Sequence, residues 1–258
     1  ARRSTTQTRV TRAIETVAAD FAAHFPLPPT TPDGADAAAR VCVLFGSERG
    51  FCGDFNETLL QRHHDEVARA PSPAPLLIGV GQRLCNKLPA DDHAIAHLAG
   101  ANVAEEVERV LNALVDRVND LADRYGSVSL TVIHHSSDGD TPRLRHVLPP
   151  FRQLSMPAPK PSHPPSLNLS PNAFLADLIE HYLFAILHDV AIASLMAENR
   201  RRMEHLEAAV TMLDHKAGVL AMKRNVLRQE EITEELEVIM LSVESTLPGA
   251  WSPDKPRF

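Results

Sequence analysis

At 258 residues, 44% hydrophobic and 23% charged, the chain has the composition of a folded protein, either one large domain or a domain with an appendage. A formal net charge of -7 and a pI near 6.0 exclude a general nucleic-acid binder, which needs clustered Lys and Arg against phosphates. Three cysteines without CxxC spacing (Cys42, Cys52 and Cys85) point to a reducing compartment and no disulfide framework.

Residues 3–25 carry Val10, Ile14, Val17, Phe21 and Phe25 at helical spacing, which predicts an amphipathic helix with those side chains on its buried face. Helical sequence is already under way at Ala1, so the start of this helix is expected to lie upstream. Pro26, Pro28, Pro29 and Pro32 end it in a stiff connection. The period then changes. Residues 40–45, Arg-Val-Cys-Val-Leu-Phe, read as a buried strand, followed by a glycine-rich turn over 46–56 and a helix from about Asn56 to Ala70. A second strand is expected at 76–80, an amphipathic helix at 103–124 with Val103 inside, and a third strand at 127–134 after Gly126.

This strand–helix–strand order predicts an α/β domain over 38–155 with a mostly parallel, Rossmann-like sheet. Prolines crowd the stretch leading to Pro171, so 156–171 reads as an extended linker. Ser170 then caps, and Pro171 opens, a helix covering 172–246, before a Pro-rich tail at 247–258. Between Pro171 and Pro248 there is no proline, and Gly218 is the only glycine. Such a helix is on the order of 110 Å long, more than a domain of this size can bury.

Its apolar run at 183–196 carries His188 and Asp189 and is short for a bilayer, and no secretory signal precedes the domain, so no direct membrane insertion is expected. Beyond it, Met203, Leu206, Val210, Leu213, Ala217, Leu220, Arg224 and Leu227 alternate at spacings of three and four, a heptad seam broken only by Arg224. The phase shifts after Leu227 and resumes through Ile232, Leu236, Ile239 and Val243. The seam requires a partner helix, and residues 3–25 are the one candidate within the chain, giving an antiparallel coiled coil of the N- and C-terminal helices. With the chain starting at Ala1, part of that seam is expected to stand bare.

Chemistry is sought and mostly not found. The turn 46–53 sits where phosphate-binding loops occur, yet it is neither GxGxxG nor GxxxxGK[ST], and Glu48-Arg49 fill an anion cradle poorly. A tight strand-to-helix turn is the expectation there. His93 and His97 stand at i, i+4 but lack the intervening Glu of a zincin helix, so no metal site is expected. Cys52 has no neighbouring His or Lys to activate it and reads as a packing residue. Arg200, Arg201 and Arg202 sweep the helix circumference; the default is a solvated stretch, the other reading an acidic partner. No cofactor and no catalytic residue are expected.

Two stretches carry a resemblance to a known family. Ser47-Glu-Arg-Gly-Phe-Cys-Gly-Asp-Phe-Asn56 resembles the Asp-Arg-Gly-Leu-Cys-Gly signature of the gamma subunit of F-type ATP synthases, with Glu48 in place of Asp. Asn225, Arg228, Gln229, Ile232, Thr233, Glu235, Leu236 and Ile239 match the C-terminal motif of the same family. Ser194, Glu198, Arg202 and Met203 keep register upstream of it. The departures are the absent basic N-terminal start, Met212-Leu213-Asp214 in place of Asn-Ala-Gly, and the extended tail, which make a divergent or N-terminally truncated member.

The resemblance implies a rotor. The chain would be the central stalk coupling proton- or sodium-driven rotation to ATP synthesis or hydrolysis, a non-catalytic subunit peripheral to a bacterial plasma membrane on its cytoplasmic face. Its partners would be the alpha and beta subunits, the epsilon subunit and the ring of c subunits. Asn225, Arg228, Gln229, Thr233 and Glu235 would meet loops of the catalytic subunits. The alternative is a cytosolic α/β-domain protein with a coiled-coil arm, acting as an adaptor or a dimeric nucleotide-binding enzyme.

Overall fold

The computed structural model describes residues 2–25, 39–69, 74–88, 94–136, 141–151 and 166–246. Five strands form one sheet: β1 (Ala39–Phe45), β2 (Leu76–Val80), β3 (Ala94–Leu98), β4 (Val128–His134) and β5 (Arg143–Leu148). Their order is β3-β2-β1-β4-β5. All pairs are parallel except β4 with β5, so the sheet is mixed and mostly parallel, as expected. The helices are α1 (Arg2–Ala22), α2 (Phe55–Arg69), α3 (Gln82–Cys85), α4 (Val107–Tyr125) and α5 (Pro171–Thr246).

From Val41 to Phe45 the central strand β1 is apolar and buried because helices cover both of its faces. Alternation sorts its side chains: Val41, Val43 and Phe45 meet α4 and α5, whereas Cys42 and Leu44 meet Phe55 and Leu59 of α2 and Leu84 of α3. Val110, Leu111, Leu114, Val118 and Leu121 form the buried stripe of α4, which stops at Gly126 with φ 80°. Val103, expected inside this helix, is exposed, because a 3-10 turn at Ala104–Glu106 precedes α4.

Two strands depart from the sequence reading. β3 was not expected, and it places His97 on an edge strand rather than on a helix face; His93 lies outside the described residues. β5 is likewise new, an antiparallel edge whose Arg143 and Arg145 are the charges such edges carry.

The terminal helices do contact each other. Phe21 of α1 lies 5.2 Å from Phe174 of α5, centroid to centroid. The buried face of α1 is Thr11, Ala18 and Phe21, with Ile14 packed against the core, whereas Val10 and Val17 are each 44% exposed. The stripe is thus rotated from the expected one. α1 meets the opening of α5 at Phe174.

Chain contacts divide the molecule into two units, Ala1–His205 and Leu206–Phe258. In the first, Ser170 caps α5 as expected, its Oγ accepting from the Ala173 amide at 3.3 Å. Ile186, Leu187 and Val190 of α5 are fully buried. In the second, the described seam residues are exposed, including Leu213, Leu220 and Leu227. By length and composition α5 contains a window apolar enough to cross a membrane. Of that window 56% is buried inside the fold, and the core of the first unit accounts for its hydrophobicity. The expected linker 156–171 lies largely, and the tail 247–258 wholly, outside the described residues.

Candidate functional site

The glycine-rich signature lies at the carboxyl ends of β1, β2 and β4, where open parallel sheets hold their ligands. Its geometry begins at Gly46, whose amide donates to the Val80 carbonyl at 2.9 Å. The Ser47 amide donates to Asn56 Oδ1 at 2.9 Å, and Asn56 Nδ2 donates back to Ser47 Oγ at 2.9 Å. Asn56 therefore closes the loop on itself at the start of α2. Gly81, with φ 110°, lets the β2 turn approach, since a Cβ there would fall 2.8 Å from the Gly46 and Ser47 carbonyl oxygens. This is the tight turn expected from the sequence.

Two carboxylates fill the positions an anionic ligand would take. Glu48 Oε2 accepts from the Gln82 amide at 2.8 Å and the Gly100 amide at 2.6 Å, tying the ends of β2 and β3 to the loop. Glu198 of α5 is 4% exposed, and its two oxygens accept from the consecutive Glu48 and Arg49 amides at 3.3 and 3.1 Å. Consecutive amides aimed at one anion form a nest, here occupied by the chain's own side chain. Burial raises the Glu198 pKa above the ordinary carboxylate value, against the pull of the Arg49 and Glu48 amides and of Arg202.

Arg202 completes the arrangement. It is hydrogen-bonded and ion-paired to Glu198, and its Nε donates to the Gly50 carbonyl at 3.2 Å. One turn before Glu198, Ser194 Oγ donates to the Phe45 carbonyl at 3.1 Å. The expectation of a solvated arginine stretch fits Arg200, which is exposed, and is corrected at Arg202. Arg202 is drawn into this clamp, Arg201 lies 3.8 Å from Asp54, and Arg200 pairs with Glu204 at 2.8 Å. The clamp roles of Ser194 and Glu198 were not read from the sequence. The available signal was a hydroxyl and a carboxylate on one helix face, four residues apart, ending the most apolar stretch.

Cys52 is buried, with its Sγ 3.4 Å from the Gly50 carbonyl, and burial raises its thiol pKa. Burial likewise pushes the Cys42 thiol up to about 12. These are packing residues. His135 Nε2 lies 2.9 Å from the Phe55 carbonyl, tying the end of β4 to α2. Among the described residues, no three His, Cys, Asp or Glu side chains converge on a point that could hold a metal ion. A cavity of about 570 Å³ between α2 and β2 is bordered by Glu57, His63, His64 and Lys87, with Glu57 paired to Lys87.

Buried His134 gives one prediction. Burial lowers its pKa, assisted by Arg145 and Arg143 and opposed by its hydrogen bond to the His135 carbonyl and by Asp189. The unfolded chain therefore takes up this proton first as pH falls through about 6.5, and the stability that depends on a neutral His134 is lost there. His134→Asn keeps a donor for the carbonyl but cannot titrate. The stability advantage of the parent over this variant is expected to shrink between about pH 7.5 and 5.5 in urea titrations. A pH-independent difference would contradict the assignment.

The expected partner contacts sit elsewhere. Asn225, Arg228, Gln229, Thr233 and Glu235 are all exposed on α5, in the second unit. Thr233 Oγ1 donates to the Gln229 carbonyl at 2.8 Å, so its hydroxyl proton is held within the helix.

A mostly parallel sheet has its ligand end filled by the chain's own carboxylates, and α5 bears a long exposed apolar seam. Residues 2–245 match the ATP synthase family, and the chain belongs to it. It is similar to the ATP synthase gamma chain of Sulfurovum sp. (strain NBC37-1), 25% identical over 218 residues that span 80% of this chain and 72% of that one. The fold is shared with a chain of the Euglena gracilis mitochondrial ATP synthase OSCP/F1/c-ring assembly (TM-score 0.60, 14% identity, covering 100% of this chain and 97% of that one). It is also shared with a chain of the Tetrahymena thermophila mitochondrial ATP synthase central stalk/c-ring (TM-score 0.53, 16% identity, covering 80% and 97%).

Proposed function

We infer that this chain is the rotor, or central-stalk gamma, subunit of an F-type ATP synthase. It couples ion-driven rotation to ATP synthesis or hydrolysis at the alpha/beta hexamer and has no active site of its own. The observation that carries this reading is the family match over residues 2–245. The gamma-chain relative and the central-stalk and c-ring neighbours support the particular subunit. The partners are the alpha and beta subunits above, with the epsilon subunit and the c ring below, and the site is the cytoplasmic face of a bacterial plasma membrane.

Strand order β3-β2-β1-β4-β5 supports calling the domain Rossmann-like, since it is that of a doubly wound sheet up to its antiparallel edge. The functional division is a terminal helix at 1–25, the domain at 38–155, the linker at 156–171, the shaft helix at 172–246 and a tail at 247–258. At about 100° per residue, Asn225, Arg228, Gln229, Thr233 and Glu235 fall within roughly half of the helix circumference, a polar face able to address one partner surface. We assign that face to loops of the catalytic subunits.

Co-expression of the tagged chain with alpha, beta and epsilon subunits tests both levels. A hexameric head is expected to co-purify, whereas a stable homodimer that binds nucleotide in isolation would support the adaptor or enzyme reading. Arg228→Ala combined with Gln229→Ala is expected to lower complex yield or ATP-driven pumping several-fold. Unchanged yield and pumping would remove the contact role while leaving the rotor reading intact.

A further inference from the structure

Ser194, Glu198 and Arg202 stand one per turn on a single face of α5, about 6 Å apart along the axis. They engage successive stations of one loop: the Phe45 carbonyl, the Glu48 and Arg49 amides, and the Gly50 carbonyl. The register is monotonic, helix and loop advancing together. The apolar core holds α5 to the sheet strongly, but burial is non-directional and tolerates small slides of side chain over side chain. Charge-assisted hydrogen bonds to backbone groups are directional, and they fix both height and rotation. The clamp ends at Arg202, just before the first unit ends at His205.

We propose that the Glu198–Arg202 clamp on residues 45–50 is the torque-bearing joint that makes the sheet domain and the 171–205 portion of α5 turn as one body. This rests on the rotor reading above. Glu198 is a positioning residue that touches no nucleotide: it locks the helix by its charge to two backbone amides and to the guanidinium that grips Gly50. A joint of this kind matters under load and little without it. Hydrolysis with no opposing ion gradient asks little of it, whereas pumping or synthesis against a gradient strains it fully.

The test uses the assembled enzyme in membrane vesicles, measuring ATP hydrolysis and ATP-driven ion pumping on the same preparation. Glu198→Gln keeps the shape but loses the charge and turns an amide NH2 towards donors. Its hydrolysis is expected to stay within about 2-fold of the parent, while ions pumped per ATP fall about 3-fold or more. Arg202→Lys keeps the charge opposite Glu198 but cannot also grip Gly50, and it is expected to show a smaller loss of the same kind. It decides the matter should the Glu198 variant fail to assemble. Glu204→Gln, which removes the exposed pair to Arg200 on the same helix, is expected to pump like the parent. Unchanged pumping per ATP in an assembled Glu198→Gln or Arg202→Lys enzyme overturns the joint, as does an equal loss in Glu204→Gln. Failure of the parent chain to assemble with the head overturns the rotor reading instead, so the two failures are distinguishable.

Discussion

Replacing Gly46 by alanine is expected to destabilise the sheet domain by about 3 kcal/mol or more. The chain leaves β1 at this residue and must pass between α3 and α2. A Cβ at Gly46 would land on Leu84 Cβ, 2.7 Å from Leu84 Cδ2 and 2.8 Å from Asn56 Oδ1. Neither neighbour can give way. Leu84 is fully buried, and its Cβ moves only with its backbone. Asn56 Oδ1 already accepts the Ser47 amide, so displacing it opens the loop that Glu198 holds. Gly50→Ala is the control. Its nearest neighbour would be the Arg83 guanidinium at 3.7 Å, and its effect is expected to stay within about 0.5 kcal/mol. Urea titration, with hydrogen exchange of the β1 and β4 amides, separates the two variants. Equal stabilities for Gly46→Ala and the parent would show that the loop is softer than its packing implies.

The same loop explains why its sequence looks like a phosphate cradle without the right spacing. Strand, glycine turn and helix are all present, and consecutive amides do point at an anion. That anion is Glu198, some 150 positions along the chain. No local pattern reports which side chain will reach an amide across such a separation, and the carboxylate therefore reads as an ordinary helix residue until the fold is known. Arg202 was misjudged for the same reason: its partner on the loop is the Gly50 carbonyl, and every residue has a carbonyl.

Elements whose burial follows from their own sequence were legible. The apolar run of β1 and the 3.6-residue stripe of α4 needed no tertiary knowledge, and Ser170-Pro171 announced the start of α5 through capping chemistry alone. The two missed strands lie at the sheet edges. Ala94-Ile-Ala-His-Leu98 is short and has a single β-branched residue, so it has little β signature of its own. Arg143-Leu-Arg-His-Val-Leu148 lacks a sustained alternation because charge interrupts its apolar residues, the charge that keeps an edge from pairing with other chains. The rotated face of α1 has a different cause. Spacings through Val10 and Val17 or through Thr11 and Ala18 are both helical, and hydrophobicity favours the valines. The packed structure buries Thr11 and Ala18 instead, a choice the spacing does not carry.

Ile186→Ala is expected to cost about 2–5 kcal/mol, whereas Leu213→Ala on the same helix should change the stability of the isolated chain by no more than about 0.5 kcal/mol. Ile186 is fully buried, in one core with Leu111 and Leu114 of α4 and with β1. Truncation removes apolar contact and leaves a cavity that neighbours on rigid elements cannot fill. Leu213 is 63% exposed, and alanine is at least as good a helix former, so little is lost. Assembly should change only the second result. If the exposed seam is covered in the complete enzyme, Leu213→Ala should lower the thermal midpoint of the complex while leaving that of the free chain in place. Ile186→Ala should lower both. A Leu213 variant neutral in both settings would mean that this part of the seam turns in open solvent, and that the grip on the shaft helix lies elsewhere along it.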